Sequence, residues 1–287
     1  MEPSSQFIDI DGVNIHIADW GGSGPDLLLI HANGFLGHLY RLMLRQWVKQ
    51  YHVRTMDWRG QGDSDKPPLE QCHWSNLHHD VEQVIDRLGL SPCYGVGHSG
   101  GAAMLAYYAA THPGRVKSLA LMEPVVIPHE PPFVERMQTE NSPLVERTLR
   151  RRVVWDSRQQ LFAAYQGKEA FAQWKEEVLW DYVNHGAYDL PDGRVALKCP
   201  AEVEAQIFAT ARLQDMFSEM HKIDCPVLVL RGERTEPFLA LAAERIAQRI
   251  PRGSLMTVPE TSHFLAMEKP EEVAEMITEY FGVVNNS

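Results

Sequence analysis

Cys93-Tyr94-Gly95-Val96-Gly97-His98-Ser99-Gly100-Gly101-Ala102-Ala103 is the stretch of this 287-residue chain on which the fold turns. It opens as an apolar run, passes through a G-x-S-x-G at residues 97–101, and continues into small helix-forming residues, Ala102, Ala103 and Ala106. With 20 glycines and 14 serines in the chain, about 0.07 such matches arise by chance, so the pattern draws its meaning from its setting. A strand that turns directly into a helix lifts the serine hydroxyl above the sheet edge, and a side chain at either outer glycine would clash in so tight a bend. The helix N-terminus adds positive potential where an oxyanion would form.

Working outward, short β-rich runs alternate with helical periodicity. Residues 6–10 and 13–19 read as a hairpin around Asp11-Gly12, and further strands are expected at 27–30, 53–56, 116–122, 227–230 and 255–258. Several are unbroken apolar runs, as parallel strands covered on both faces require. Between them Leu77, Val81, Val84, Ile85 and Leu88 share a helix face, as do Leu239, Ala243, Ile246 and Ile250, and Val273, Met276, Ile277 and Tyr280. The fold class is therefore α/β, a mostly parallel, doubly wound sheet. The alternation stops after residue 127. From 128 to 224 the patterns are helical, for example over 144–153 and 171–182, so residues 1–127 and 225–287 are expected to form one core carrying a helical insertion at 128–224.

Composition excludes several classes. Lys and Arg number 27 against 38 Asp and Glu, a net charge of −11, which repels phosphate backbones and anionic lipid. Nucleic acid and membrane partners are thus not expected, and a small-molecule substrate is; no motif specifies an oligomeric state. The first residues carry neither a basic start nor an apolar segment, and the four cysteines show no C-x-x-C spacing, which together point to a cytoplasmic, reducing setting.

Two more segments complete a pattern. Ile30-His31-Ala32-Asn33-Gly34-Phe35 follows the third strand, and Asp57-Trp58-Arg59-Gly60-Gln61-Gly62-Asp63-Ser64 follows the fourth. Together with the serine motif and a late Pro259-Glu260-Thr261-Ser262-His263-Phe264, the chain resembles the α/β-hydrolase superfamily over essentially its whole length, with the insertion in the place of that family's cap. The resemblance implies Ser99 as nucleophile, His263 as base, and the backbone N–H groups of Asn33 and Gly100 as oxyanion donors. Ala32 and Gly34 stand where the family usually has glycine and proline. The Asp57–Ser64 loop is expected to brace turns rather than touch substrate, and His31 and His98 to be structural or pocket-lining.

The acid departs from the usual pattern. Most of the superfamily places an aspartate after the strand that follows the cap; here Thr235 holds that position in Leu230-Arg231-Gly232-Glu233-Arg234-Thr235-Glu236. Glu236 is one alternative. Glu123, ending the strand after the nucleophile helix, is preferred, because a minority of relatives, haloalkane dehalogenases among them, carry their acid there. A carboxylate ending an apolar strand also needs a partner. Dehalogenation and epoxide opening themselves are disfavoured, since both use an aspartate nucleophile where this chain has Ser99.

Neither an organic cofactor nor a metal is expected. His73, His78 and His79 offer no fitting ligand set and read as a solvated helix face. The run Arg147, Arg150, Arg151 and Arg152 also reads as a solvated face, with Leu144, Val145, Thr148, Leu149 and Val153 supplying the buried side. The resulting expectation is a serine hydrolase acting on a small to medium apolar ester, thioester or lactone. A C–C bond hydrolase, a low-turnover ligand receptor on the same scaffold and an inactive scaffold protein are the alternatives.

Overall fold

The computed structural model describes residues 2–133, 143–211 and 214–285. In chain order its strands are β1 (Ser4–Ile10), β2 (Val13–Gly21), β3 (Asp26–Ile30), β4 (His52–Met56), β5 (Cys93–His98), β6 (Val116–Met122), β7 (Val154–Trp155), β8 (Ala187–Asp189), β9 (Val195–Leu197), β10 (Val227–Gly232) and β11 (Gly253–Val258). Eight of them form one sheet in the order β1-β2-β4-β3-β5-β6-β10-β11. β1 and β2 form an antiparallel hairpin, β2 runs antiparallel to β4, and every other pair is parallel. The chain is an α/β protein of α/β-hydrolase fold, as the sequence implies.

Burial explains why the strands read as continuous apolar runs. In β3, Leu28 and Ile30 enter the core on one side of the sheet, and Leu27 and Leu29 enter the core on the other. β10 divides in the same way, Val227 and Val229 against Leu228 and Leu230. Alternation is present in space but silent in composition, because both faces are covered. Helices α1 (Arg41–Trp47), α2 (Trp74–Arg87) and α3 (Gly100–Thr111) connect the first strands, and α2 buries Trp74, Leu77, Val81, Val84 and Ile85. After the insertion come α8 (Pro237–Arg249), α9 (Leu265–Glu268) and α10 (Pro270–Asn285).

Strand order reverses at β3, which lies between β4 and β5. In an open α/β sheet the carboxyl ends of the strands flanking such a reversal frame a crevice. The loops after β3 and β5, bearing Asn33 and Ser99, flank this one.

Between β6 and β10 the chain forms α4 (Pro143–Leu149), α5 (Arg158–Gln166), α6 (Glu176–His185) and α7 (Ala201–Thr210), together with a small antiparallel sheet ordered β7-β9-β8. That sheet is absent from the sequence expectation of a helical insertion. Strands of two or three residues are too short to display a period of two. The helices are also shorter than expected: α4 ends at Leu149, and α6 begins only at Glu176. Leu144 and Leu149, expected to be buried, are 37% and 52% exposed. Among the described residues no helix is long and apolar enough to cross a membrane. All four cysteines are free and buried.

Candidate active site

β5 ends at His98, and α3 begins at Gly100. Ser99 between them has φ 55° and ψ −116°, a backbone state that costs a non-glycine residue about 1–3 kcal/mol. The bend is held by close packing. A Cβ on Gly97 would lie 2.5 Å from the Ala102 Cα, and one on Gly101 would lie 2.3 Å from the Ile30 carbonyl oxygen. The start of α3 thus sits directly on the end of β3, which brings the Gly100 amide beside the Asn33 loop. As the first residue of the helix, Gly100 has an N–H with no intrahelical acceptor.

The Ser99 N–H donates to the Met122 carbonyl at 2.8 Å, so the next residue, Glu123, starts level with the bend. Glu123 also has positive φ (48°) and is 3% exposed. Its Oε1 accepts from the Gly232 N–H at 2.6 Å, and its Oε2 accepts from the Thr235 hydroxyl at 2.8 Å and lies 3.1 Å from His263 Nδ1. β6 and β10 are neighbours, with Met122 paired to Leu230. A carboxylate leaving either strand end can therefore meet the same imidazole. Thr235, at the position where the resemblance places the usual acid, donates its hydroxyl to Glu123. Glu236 is exposed at the start of α8.

The His263 loop is fastened to the serine bend by its neighbour. His98 Nε2 lies 2.8 Å from the His263 carbonyl oxygen, and His98 Nδ1 lies 2.8 Å from the Tyr40 hydroxyl, which accepts from the Ala32 N–H at 3.1 Å. The carbonyl can only accept, so Nε2 carries the proton, Nδ1 accepts from Tyr40, and every role in the chain is fixed. Burial, and next the nearby His263, push His98 down to about 3, which keeps it neutral. Four non-glycine residues among those described have positive φ, and three of them, Ser99, Glu123 and Glu260, lie at or beside this site. Strain concentrated in this way marks a functional region.

The Asn33 side chain reaches outward. Its Nδ2 donates to the Glu204 carbonyl at 3.0 Å, and its Oδ1 accepts from Gln61 at 2.6 Å. Gly34 has φ +88°, and a Cβ there would stand 2.9 Å from the Glu204 carboxyl. Within the Asp57–Ser64 loop, Arg59 pairs with the buried Asp80, and Asp57 accepts from the Gly37 and Asp63 N–H groups and lies 2.9 Å from His16 Nδ1. These are bracing contacts. His31 stacks on Trp58 at 5.5 Å and is fully buried. Facing His263 is an aromatic cluster from both core and insertion. Phe264 lies 5.3 Å from Trp174 and 6.0 Å from Phe35, and Phe35 lies 5.8 Å from Tyr182.

Two expectations need correction. His78 does not face solvent: its ring stacks on Tyr107 at 4.1 Å, both ring nitrogens are buried without a partner, and burial pushes it down to about 4. Of the arginine run, Arg147, Arg150 and Arg152 are exposed, but Arg151 turns inward with 14% of its side chain accessible. Periodicity could not separate it from its neighbours because it lies past the end of α4. Tyr40, Thr235 and Gly232 carried no sequence signal of their own beyond Thr235 standing at the acid position.

Two residue groups bring possible metal ligands together among the described residues: His16, Asp57 and Asp63, and Glu2, His38 and His185. In the first, Asp57 is already saturated by the contacts above. In the second, the imidazoles stack face to face at 4.1 Å, with planes 14° apart, so their lone pairs run side by side instead of converging.

The alpha/beta hydrolase fold family model matches residues 25–270. A Bacillus subtilis (strain 168) protein named for 2-succinyl-6-hydroxy-2,4-cyclohexadiene-1-carboxylate synthase activity is 25% identical over 94% of this chain and 95% of its own. Epoxide hydrolase 3 of Siraitia grosvenorii is 33% identical, over 46% of this chain and 43% of its own. The crystal structure of E-2-(acetamidomethylene)succinate hydrolase superposes with a TM-score of 0.80, at 22% identity, covering 98% of this chain and 99% of that one. General hydrolase activity follows from the family and these relatives, and the chain belongs to the alpha/beta hydrolase fold family.

Proposed function

We propose that this chain is a cofactor-independent serine hydrolase that cleaves a small to medium ester, thioester or lactone with an apolar portion through an acyl-enzyme. The observation that carries the proposal is the 3.1 Å contact between His263 Nδ1 and a buried Glu123 carboxylate, in a loop hydrogen-bonded to the residue preceding Ser99. With Nδ1 turned to Glu123, His263 Nε2 is the nitrogen left to take the Ser99 proton as the hydroxyl attacks a carbonyl carbon. Glu123 holds the ring and offsets its positive charge. The N–H groups of Gly100 and Asn33 receive the oxyanion, a donor pair whose members are each worth about 2.7–4 kcal/mol in the transition state. His263 returns its proton to the leaving group and then activates water to release the acid. The insertion acts as a cap, and the Phe35–Trp174–Phe264 cluster forms the apolar wall.

The match to an epoxide hydrolase does not extend to epoxide opening here, because Ser99 stands in place of an aspartate nucleophile. Purified protein should be assayed against nitrophenyl esters, thioesters and lactones with Ser99→Ala as the blank. Turnover of at least one class, reduced about 10⁵-fold or more in Ser99→Ala, is expected. Absence of Ser99-dependent turnover across the panel, or ligand-dependent partner binding without it, would replace the enzyme with a receptor.

A further inference from the structure

We infer that Gln61 is a positioning residue for the reaction: it holds the oxyanion loop in the shape that presents the Asn33 amide, a task the family usually gives to a proline. This inference rests on the function proposed above and adds to it a residue that acts through Asn33. Proline stiffens a loop by locking φ at about −65°. Gly34 stands at that position here, and glycine is the least restrained residue. Its φ of +88° is also one that proline cannot adopt. The loop therefore needs a hold from outside its own backbone. Gln61 Oε1 accepts from the Gly34 N–H at 2.8 Å, Gln61 Nε2 donates to Asn33 Oδ1 at 2.6 Å, and Asn33 Nδ2 donates to the Glu204 carbonyl at 3.0 Å. The two ends of this chain fix every role in it. A backbone N–H can only donate and a carbonyl can only accept, so each side-chain amide has one orientation.

Gln61 is itself firmly seated. It is fully buried, its N–H donates to the Trp58 carbonyl at 2.9 Å, and its carbonyl accepts from the Ser64 N–H at 3.1 Å. Lys66 Nζ donates to the Gly62 and Ser64 carbonyls and closes the same loop. Across the oxyanion turn, the Ala32 N–H goes to the Tyr40 hydroxyl, the Gly34 N–H to Gln61, and the Phe35 N–H to the Ala32 carbonyl. Among the described residues, the Asn33 N–H is the one amide of positions 32–35 without an acceptor. An oxyanion donor must be unspent in this way before substrate arrives. It is bracketed by the Tyr40 hold on Ala32 and the Gln61 hold on Asn33 and Gly34. The far anchor, Glu204, lies on α7 of the insertion, so the chain is complete only with the insertion seated on the core.

The test measures kcat and KM on one accepted nitrophenyl ester, with rates taken per Ser99 site titrated to completion, and Ki for a trifluoromethyl ketone matched to its acyl group. Gln61→Leu should lower kcat about 30-fold with KM within about 3-fold, and should weaken the ketone by a similar factor, because its adduct places an oxyanion on the same donors. A merely structural role would reduce the fraction of titratable sites and leave both constants unchanged. Gln61→Glu regains both bonds when its carboxyl is protonated, so it should exceed Gln61→Leu in kcat at pH 6. Where Gln61→Leu does not fold, Asn33→Ala carries the test: it cuts the tie from the other side, keeps the backbone donor, and should lower kcat and ketone affinity together by about 10-fold. Values within about 3-fold of wild type in the folded variant, or equal losses in Gln61→Leu and Gln61→Glu at pH 6, overturn the role of Gln61 while the hydrolase stands. Absence of Ser99-dependent turnover in wild type overturns both.

Discussion

Glu123 is the residue whose position most constrains the chemistry. Its two oxygens receive Gly232, Thr235 and His263, leaving little freedom for another geometry. Glu123→Gln keeps the volume but places an amide among donors, so one N–H must oppose another. A kcat loss of about 10³–10⁴-fold is expected by analogy with loss of a triad acid, while Glu236→Gln should change kcat less than about 3-fold. Steady-state kinetics on one accepted ester decides between the two glutamates. A second prediction uses the neighbouring strand end. Because the Thr235 hydroxyl already lies 2.8 Å from Glu123 Oε2, an aspartate at 235 can reach His263 once Glu123 is shortened. The pair Glu123→Ala with Thr235→Asp should recover about 10-fold or more of the activity that Glu123→Ala alone loses. Lack of recovery would mean that the two strand ends are not interchangeable.

At the scale of elements, the ends of β3, β5 and β11 are joined by one relay, Ala32 to Tyr40 to His98 to the His263 carbonyl. Tyr40→Phe leaves a buried N–H and a buried imidazole nitrogen unpaired, so a stability loss of about 1–3 kcal/mol is expected by denaturant titration. A roughly 10-fold fall in kcat with KM little changed should accompany it, because the base loop is no longer registered against the serine bend. The eight-stranded sheet was legible in sequence because its strands are long enough to declare themselves and its loops carry glycine-rich turns. The serine bend and the Glu123 position were legible for the same reason: each ends a strand with a residue that the strand itself does not need. The small β7-β9-β8 sheet was not, since its strands of two or three residues are too short to show a period of two, and neither were the inward turn of Arg151 and the Tyr40 relay, since each depends on contacts between segments far apart in the chain. Tyr40 and His98 alone are separated by 58 positions.

For the whole molecule, buried neutral histidines set the response to acid. Burial pushes His98 down to about 3, His78 to about 4, and His38, with His185 stacked on it, to about 4. Each lies below the unfolded value of about 6.5, so the unfolded chain takes up protons first and stability falls as pH drops from about 6.5 towards 4. His98 alone contributes a loss of about 2 kcal/mol at pH 5. Glu204 and Asp80, raised by burial, act in the opposite sense above the ordinary carboxylate range. The net expectation is a Tm that falls steadily from pH 7 to pH 5 and falls less steeply in His78→Gln. A flat Tm over that interval would contradict the burial of these rings. Core and insertion are further joined by Arg41 to Asp181 and Glu177 and by Lys198 to Asp63.

A fluorophosphonate reacts with a serine only where a base and oxyanion donors stand ready around its hydroxyl, so labelling followed by peptide mapping reaches the heart of the matter. Rapid modification of the Ser99 peptide in folded protein is expected, absent in Ser99→Ala and slowed by at least about 10³-fold in His263→Ala. Folded wild-type protein that stays unlabelled, or label that persists in Ser99→Ala, would contradict it.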